Sequence, residues 1–172
     1  MRTENSQLGR EHSRVSLAAR SLLGSVWFAL WFFVAIPGGL LHLGGESLIP
    51  PTGPNRPIGI ALIAVSHAVL VALVARFVNQ GGGTPVPLQP PNTIITQGLY
   101  ARVRNPMYAT YVAIALGEAI LYRSGILLAY TACFALLIHC YVTRIEEPRL
   151  RARFGDAYER YFEASGRWLP RR

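Results

Sequence analysis

Two short stretches hold most of the polar groups that could do chemistry in an otherwise apolar chain. The first is "LYARVRNPMY", residues 99–108, and the second is "RIEEPR", residues 144–149. Adjacent carboxylates such as Glu146 and Glu147 repel each other. They make sense at the base of an apolar helix only when a cation or an arginine lies beside them. Arg102 and Arg104 are the nearest candidates, since a guanidinium pairs with a carboxylate through two parallel hydrogen bonds. Tyr100 and Tyr108 add hydroxyls and ring faces. Asn105 can donate and accept hydrogen bonds but cannot act as a base near neutral pH.

The elements that position these groups follow from the apolar pattern. The chain has 172 residues, of which 51% are hydrophobic and only 15% are charged. Long uncharged windows alternate with short basic clusters, the pattern of a multi-pass membrane protein. The expected fold is all-α, a polytopic membrane helix bundle of about four transmembrane helices with a C-terminal cytoplasmic amphipathic helix. The spans fall at about 21–43, 58–77, 106–122 and 125–143. Residues 1–20 form a basic N-terminal segment, and residues 21–172 form one membrane domain. Pro37-Gly38-Gly39 should kink or end the first span. Pro106 suits the first turn of the third. Only Arg123 and Ser124 separate the third span from the fourth, so the two form a tight hairpin. Their other ends must then be neighbours, which brings Arg104 toward Glu146 and Glu147.

Every one of the 17 basic residues is arginine. With four spans, fifteen of them lie on one face and two, Arg56 and Arg123, on the other. The basic face is expected to be cytoplasmic, with both termini on it, in a bacterial type of inner membrane. Arginines at helix ends are explained by topology and anionic headgroups, so the net charge of +8 does not indicate nucleic acid. Cys133 and Cys140 are too far apart along one helix for a disulfide and read as buried thiols. No metal spacing is present. The 79–105 segment is rich in Gly and Pro and reads as a loop. In the tail, Leu150, Phe154, Tyr158, Tyr161 and Phe162 recur at helical spacing and read as one amphipathic helix.

"GGGTPVPLQPPNTIITQGLYARVRNPMY" followed by "RIEEPRLRARFGDAYERYFEASGRWLP" resembles the isoprenylcysteine carboxyl methyltransferase and phospholipid N-methyltransferase superfamily. Gly98, Tyr100, Arg104, Asn105, Pro106 and Tyr108 match its first motif. Glu146, Glu147, Leu150, Phe154, Gly155, Tyr158 and Tyr161 match its second, followed by Arg167 and Pro170. The resemblance covers about residues 76 to 170. It implies an integral membrane methyltransferase that uses S-adenosylmethionine and works in the lipid bilayer on a lipophilic or lipid-anchored acceptor, a carboxylate, thiol or amine. It implies catalytic roles for Arg104, Asn105 and Glu147. It implies a cofactor site of Tyr100, Arg104, Asn105, Pro106, Tyr108, Glu146, Glu147 and Tyr158, within 79–108 and 139–170. The Gly81–Pro91 loop would close over it. Many members carry His where this chain has Asn105, which removes a proton shuttle here. His139, one heptad before Glu146, is a candidate for lining the acceptor cavity, and Arg167 for binding substrate. Glu118, inside the third span, is expected to pair with Arg123. The rival readings are a membrane reductase of the steroid-reductase type using NADPH, and a non-enzymatic helical subunit.

Overall fold

A computed structural model describes residue 24, residues 26–81 and residues 93–171. The basic segment 1–20 and the glycine–proline loop from residue 82 to residue 92 lie outside the described residues. Among the described residues the chain forms five helices and a short 3-10 turn at Gly98–Ala101, and no strand occurs. Helix α1 runs from Val26 to Leu43. It does not end at Pro37. The proline lacks the N–H that would close the helix and crowds the carbonyl four residues back. The chain answers by widening one turn into a π-helix at Trp31–Ala35, where the Ile36 N–H bonds to the Trp31 carbonyl. The helix then stops at Gly44. Gly45, at φ 68°, turns the chain so that the Glu46 N–H reaches the Leu41 carbonyl at 2.8 Å.

Helix α2 spans Asn55–Gly81 and helix α3 spans Pro106–Tyr122. They meet where neither has a side chain. A Cβ on Gly59 would lie 2.8 Å from the Gly117 carbonyl oxygen, and one on Gly117 would lie 2.7 Å from Ile63 Cγ1. Close backbone approach through small residues is how membrane helices gain packing without a hydrophobic drive. The hairpin after α3 forms as its sequence requires. Arg123 takes the left-handed conformation at φ 54°, and the Ser124 hydroxyl accepts from the Leu127 N–H.

Helix α4 begins at Gly125 and runs to Phe154, well beyond the expected end near Thr143. It too meets a proline, Pro148, and again a π turn precedes it, at Val142–Glu146. Gly155, at φ 52°, then breaks the chain, and helix α5 follows at Asp156–Ala164. The amphipathic tail is therefore two helices rather than one. The left-handed glycine turns α5 so that Tyr158 and Tyr161 are buried.

Among the described residues, three helices are long and apolar enough to cross a bilayer: Val26–Leu43, Asn55–Arg76 within α2, and Gly125–Phe154. Helix α3 has 17 residues, or about 25 Å, against an apolar layer of about 30 Å. Three candidate spans are thus found where four were expected, and α3 packs among them as a shorter apolar helix. Large apolar side chains such as Trp27, Val71 and Leu137 point outward, as lipid-facing residues do. Cys133 is one of these outward residues and Cys140 is half-buried, so neither is the fully buried thiol expected. The inner layer joins Ala115 of α3 to Phe134, Ile138 and Val142 of α4, covered by Phe28, Phe32 and Phe33 of α1.

Candidate functional site

The charged site lies at the end of the bundle opposite the α3–α4 hairpin. Pro106 is buried at the first turn of α3, so Arg104 and Asn105 come immediately before the helix. Glu146 ends the π turn of α4, and Glu147 follows it. The hairpin brings these ends together, and Arg104 Nε stands 3.6 Å from Glu147 Oε1. Both side chains are almost fully buried, at 7% and 3% exposure.

Arg167 completes the pair from the other end of the sequence. Its Nε and NH2 each donate to one oxygen of Glu147 at 2.9 Å, a two-pronged contact. The Glu147 carboxylate holds the Arg167 proton more tightly, which raises the Arg167 pKa further. Arg104 is heavily engaged as well. Its NH1 donates to the Phe162 carbonyl at 2.8 Å and to the Ser165 carbonyl, and its guanidinium lies 4.0 Å above the Phe162 ring. It therefore satisfies the orphan carbonyls at the C-terminus of α5, where a cation is favoured.

The segment after α5 folds back as a strap. Val103 and Gly166 form an isolated parallel bridge, with Arg104 N donating to Gly166 O at 2.8 Å and Gly166 N to Arg102 O at 3.0 Å. Gly166 is required by space, since a Cβ there would sit 1.8 Å from the Leu169 carbonyl oxygen. The Asn105 side-chain amide donates to the Arg167 carbonyl at 3.2 Å. Asn105 thus holds the strap that carries Arg167. An open groove of about 530 Å³ runs along this strap, lined by Arg104, Phe162, Ser165, Arg167, Leu169 and Pro170.

Glu146 lies on the inner side of the same end. Its Oε2 is buried without a hydrogen-bond partner. Its carboxylate lies near the Tyr108 and Tyr100 phenols. The Tyr100 hydroxyl and Arg104 Nε are also buried without a hydrogen-bond partner. Burial, then the charge of Glu147, pushes the Tyr158 phenol up to about 12. Burial, then Tyr161, raises Tyr100 as well. Both phenols stay protonated near neutral pH, so they can offer a hydrogen bond and do not act as bases.

Nine of the expected residues therefore meet: Tyr100, Arg104, Asn105, Pro106, Tyr108, Glu146, Glu147, Tyr158 and Arg167. His139 stands apart. It is exposed on α4, and its Nδ1 accepts from Trp168 Nε1 at 3.1 Å. The π turn inserts an extra residue between His139 and Glu146, so the heptad phase that would align them is lost. Arg102 is exposed, and only its backbone takes part. The expected Glu118–Arg123 pair does not form. Arg123 turns outward in its left-handed position, while Glu118 Oε2 is buried without a hydrogen-bond partner. Ser165, Gly166 and Trp168 were not singled out from sequence. The small-residue pair before Arg167-Trp168 was the available signal. Among the described residues, no group of three or more His, Cys, Asp or Glu is placed to hold a metal ion.

A family model described as phospholipid methyltransferase matches residues 55–157, which takes in α2, α3, α4, the arginine-bearing stretch 99–108 and the acid-bearing stretch 144–149. No curated protein matches the chain.

Proposed function

The chain belongs to the phospholipid methyltransferase family, within the membrane methyltransferase superfamily its motifs resemble, and from that premise we propose how its site works. The protein is an integral membrane methyltransferase. The methyl donor is S-adenosylmethionine, and the acceptor is lipophilic or lipid-anchored and presents its reacting atom at the cytoplasmic interface. Both termini are cytoplasmic, as the arginine asymmetry favours.

The observation that carries the reading is Glu146, a buried carboxylate with one unpartnered oxygen beside Tyr108. Such a group either takes up a proton or is held in its charged form by a cation placed beside it. The donor is cationic at sulfur and at its ammonium, and anionic at its carboxylate. Glu146 Oε2 fits the cationic part, while the unpartnered Tyr100 hydroxyl and Arg104 Nε supply donors for the anionic and neutral parts. The exposed part of Arg167, on the groove side, can also meet a carboxylate. Bound there, the donor supplies an electrophilic methyl group. Glu147 is occupied by two arginines and acts as the frame that sets Arg104 and Arg167 in place. Asn105 sets the strap. Orientation of donor and acceptor supplies the rate, and well-aligned reactants account for roughly 7–11 kcal/mol of barrier in comparable cases. No general base beyond Glu146 stands among the site residues. A carboxylate or thiolate acceptor needs none, and an amine would pass its proton to Glu146 or to water.

Calorimetric titration of the purified protein tests this. S-adenosylmethionine and S-adenosylhomocysteine should bind, and NADPH should not. Glu146→Gln should weaken S-adenosylmethionine by about tenfold, or about 1.4 kcal/mol, and should weaken the uncharged thioether product less. Binding of NADPH alone would overturn the reading, and equal losses for the two sulfur compounds would move Glu146 away from the sulfonium.

A further inference from the structure

The strap from Ser165 to Arg171 carries more positive charge than the site answers. Arg104 and Arg167 face the Glu147 carboxylate from the inner side. Arg171 donates its NH1 to a neutral acceptor, the Glu163 carbonyl, at 2.9 Å. Among the described residues, no carboxylate stands within salt-bridge distance of Arg171. The open groove along the strap is lined by Arg104, Arg167 and Arg171 and by no acid, so three guanidiniums share the one carboxylate of Glu147. The carboxylate of a methyl donor would answer one more charge and still leave Arg171 over.

The rim of the groove is apolar. Phe162 and Pro170 line it, and Leu169 beside them is 78% exposed. The level of the strap in the membrane explains this mixture. Trp168 packs against Ala115, Phe134, Ile138 and Val142, and its indole N–H donates to His139 Nδ1 at 3.1 Å. His139 lies about 21 Å along α4 from Gly125, inside an apolar layer about 30 Å thick. A tryptophan with a satisfied N–H at that depth marks the membrane–water boundary. Arg167 is tied to Glu147, about 33 Å along the same helix and thus at headgroup level. The strap therefore straddles the boundary, with Leu169 toward acyl chains and its arginines among the headgroups.

We propose that this groove binds the phosphate of an anionic lipid headgroup. Arg171 and the groove side of Arg167 hold the phosphate through charge-assisted hydrogen bonds, and Leu169 and Pro170 rest on the upper part of an acyl chain. The lipid is a bound ligand and not the methyl acceptor. It fixes the strap that carries Arg167. The site stands independently of the methyltransferase reading.

The test is calorimetric titration of the full chain in a neutral detergent with dioctanoyl phosphatidylglycerol, dioctanoyl phosphatidylcholine and glycerol phosphate. The anionic lipid should bind saturably, at least about tenfold tighter than either of the others. Arg171→Gln should weaken it at least about fivefold. Arg160→Gln removes the same charge from an exposed position outside the groove and should leave it within about twofold. Leu169→Ala should weaken the lipid and leave glycerol phosphate unchanged. Equal binding of the two lipids overturns the site, and equal losses in Arg171→Gln and Arg160→Gln reduce it to the general field of a basic surface. Glycerol phosphate binding as tightly as the lipid overturns the lipid as occupant. Saturating S-adenosylhomocysteine should leave the lipid affinity within about twofold, and outright competition would put the donor in the groove and overturn the proposal. If S-adenosylhomocysteine does not bind at all, the methyltransferase reading fails while the lipid titration still decides the groove.

Discussion

Helices α1 and α4 meet a proline in the same way and do different things with it. In each, a π turn ends two residues before the proline, and the residue after the turn bonds five positions back: Ile36 to Trp31, and Glu147 to Val142. In α1 the turn reads WFFVA and carries no charge. The Phe32 carbonyl, left without the Pro37 N–H, accepts the Tyr130 hydroxyl at 2.9 Å. In α4 the turn reads VTRIE, carries Glu146 and is followed at once by Glu147, so both acids stand at the charged end of the bundle. The π turn is thus the general cost of a proline inside a membrane helix. A site arises only where the widened turn carries acids and where arginines from two other parts of the chain meet them.

The strongest way to break this comparison is Glu147→Gln. It leaves Arg104 and Arg167 facing a neutral amide in a mostly buried setting. Removing one partner of a buried pair costs about 3–5 kcal/mol, and the lower end applies because Arg167 is about one-third exposed. Methyl transfer should fall at least 100-fold, and thermal unfolding in detergent should shift downward. A variant with full activity would show that the acids are no more functional than the aromatic turn of α1.

Pro148→Ala against Pro37→Ala tests the turns themselves at smaller amplitude. Restoring the N–H removes the reason for the wide turn. In α4 this should loosen the placing of Glu146 and Glu147 and lower transfer several-fold, with helix content by circular dichroism unchanged. In α1 the same change should leave transfer within twofold. Equal losses at both prolines would mean that the site depends on the shape of the whole bundle.

Much of this was legible in the sequence, because hydropathy and arginine placement act locally. Pro106, Arg123 and Ser124 fixed both ends of α3, and the hairpin forced Arg104 toward Glu147. Less local features stayed hidden. The fourth span was expected to stop near Thr143, since charge normally ends a membrane helix, yet the π turn carries α4 on to Phe154. His139 was aligned with Glu146 by a seven-residue step that the extra residue invalidates. Arg104 was read as a ligand group, and its second engagement, NH1 with the Phe162 and Ser165 carbonyls, was not foreseen. That use depends on where α5 turns after Gly155, which no pattern in residues 99–108 encodes.

The smallest effect is the most selective test of the comparison. Tyr130→Phe removes one hydroxyl from the α1 turn and keeps the ring, which stays stacked on Phe134 at 5.8 Å. The Phe32 carbonyl then loses its side-chain donor. Interhelical hydrogen bonds in membranes contribute about 0.6 kcal/mol on average and rarely exceed about 1.7. Thermal stability should therefore fall by a few degrees at most, while donor affinity and transfer rate stay within twofold. If transfer instead falls as far as it does in Glu147→Gln, the α1 turn is coupled to the site through the shared layer of Phe32 and Phe134. The two turns would then be parts of one device, and the contrast between a structural and a functional π turn would not hold.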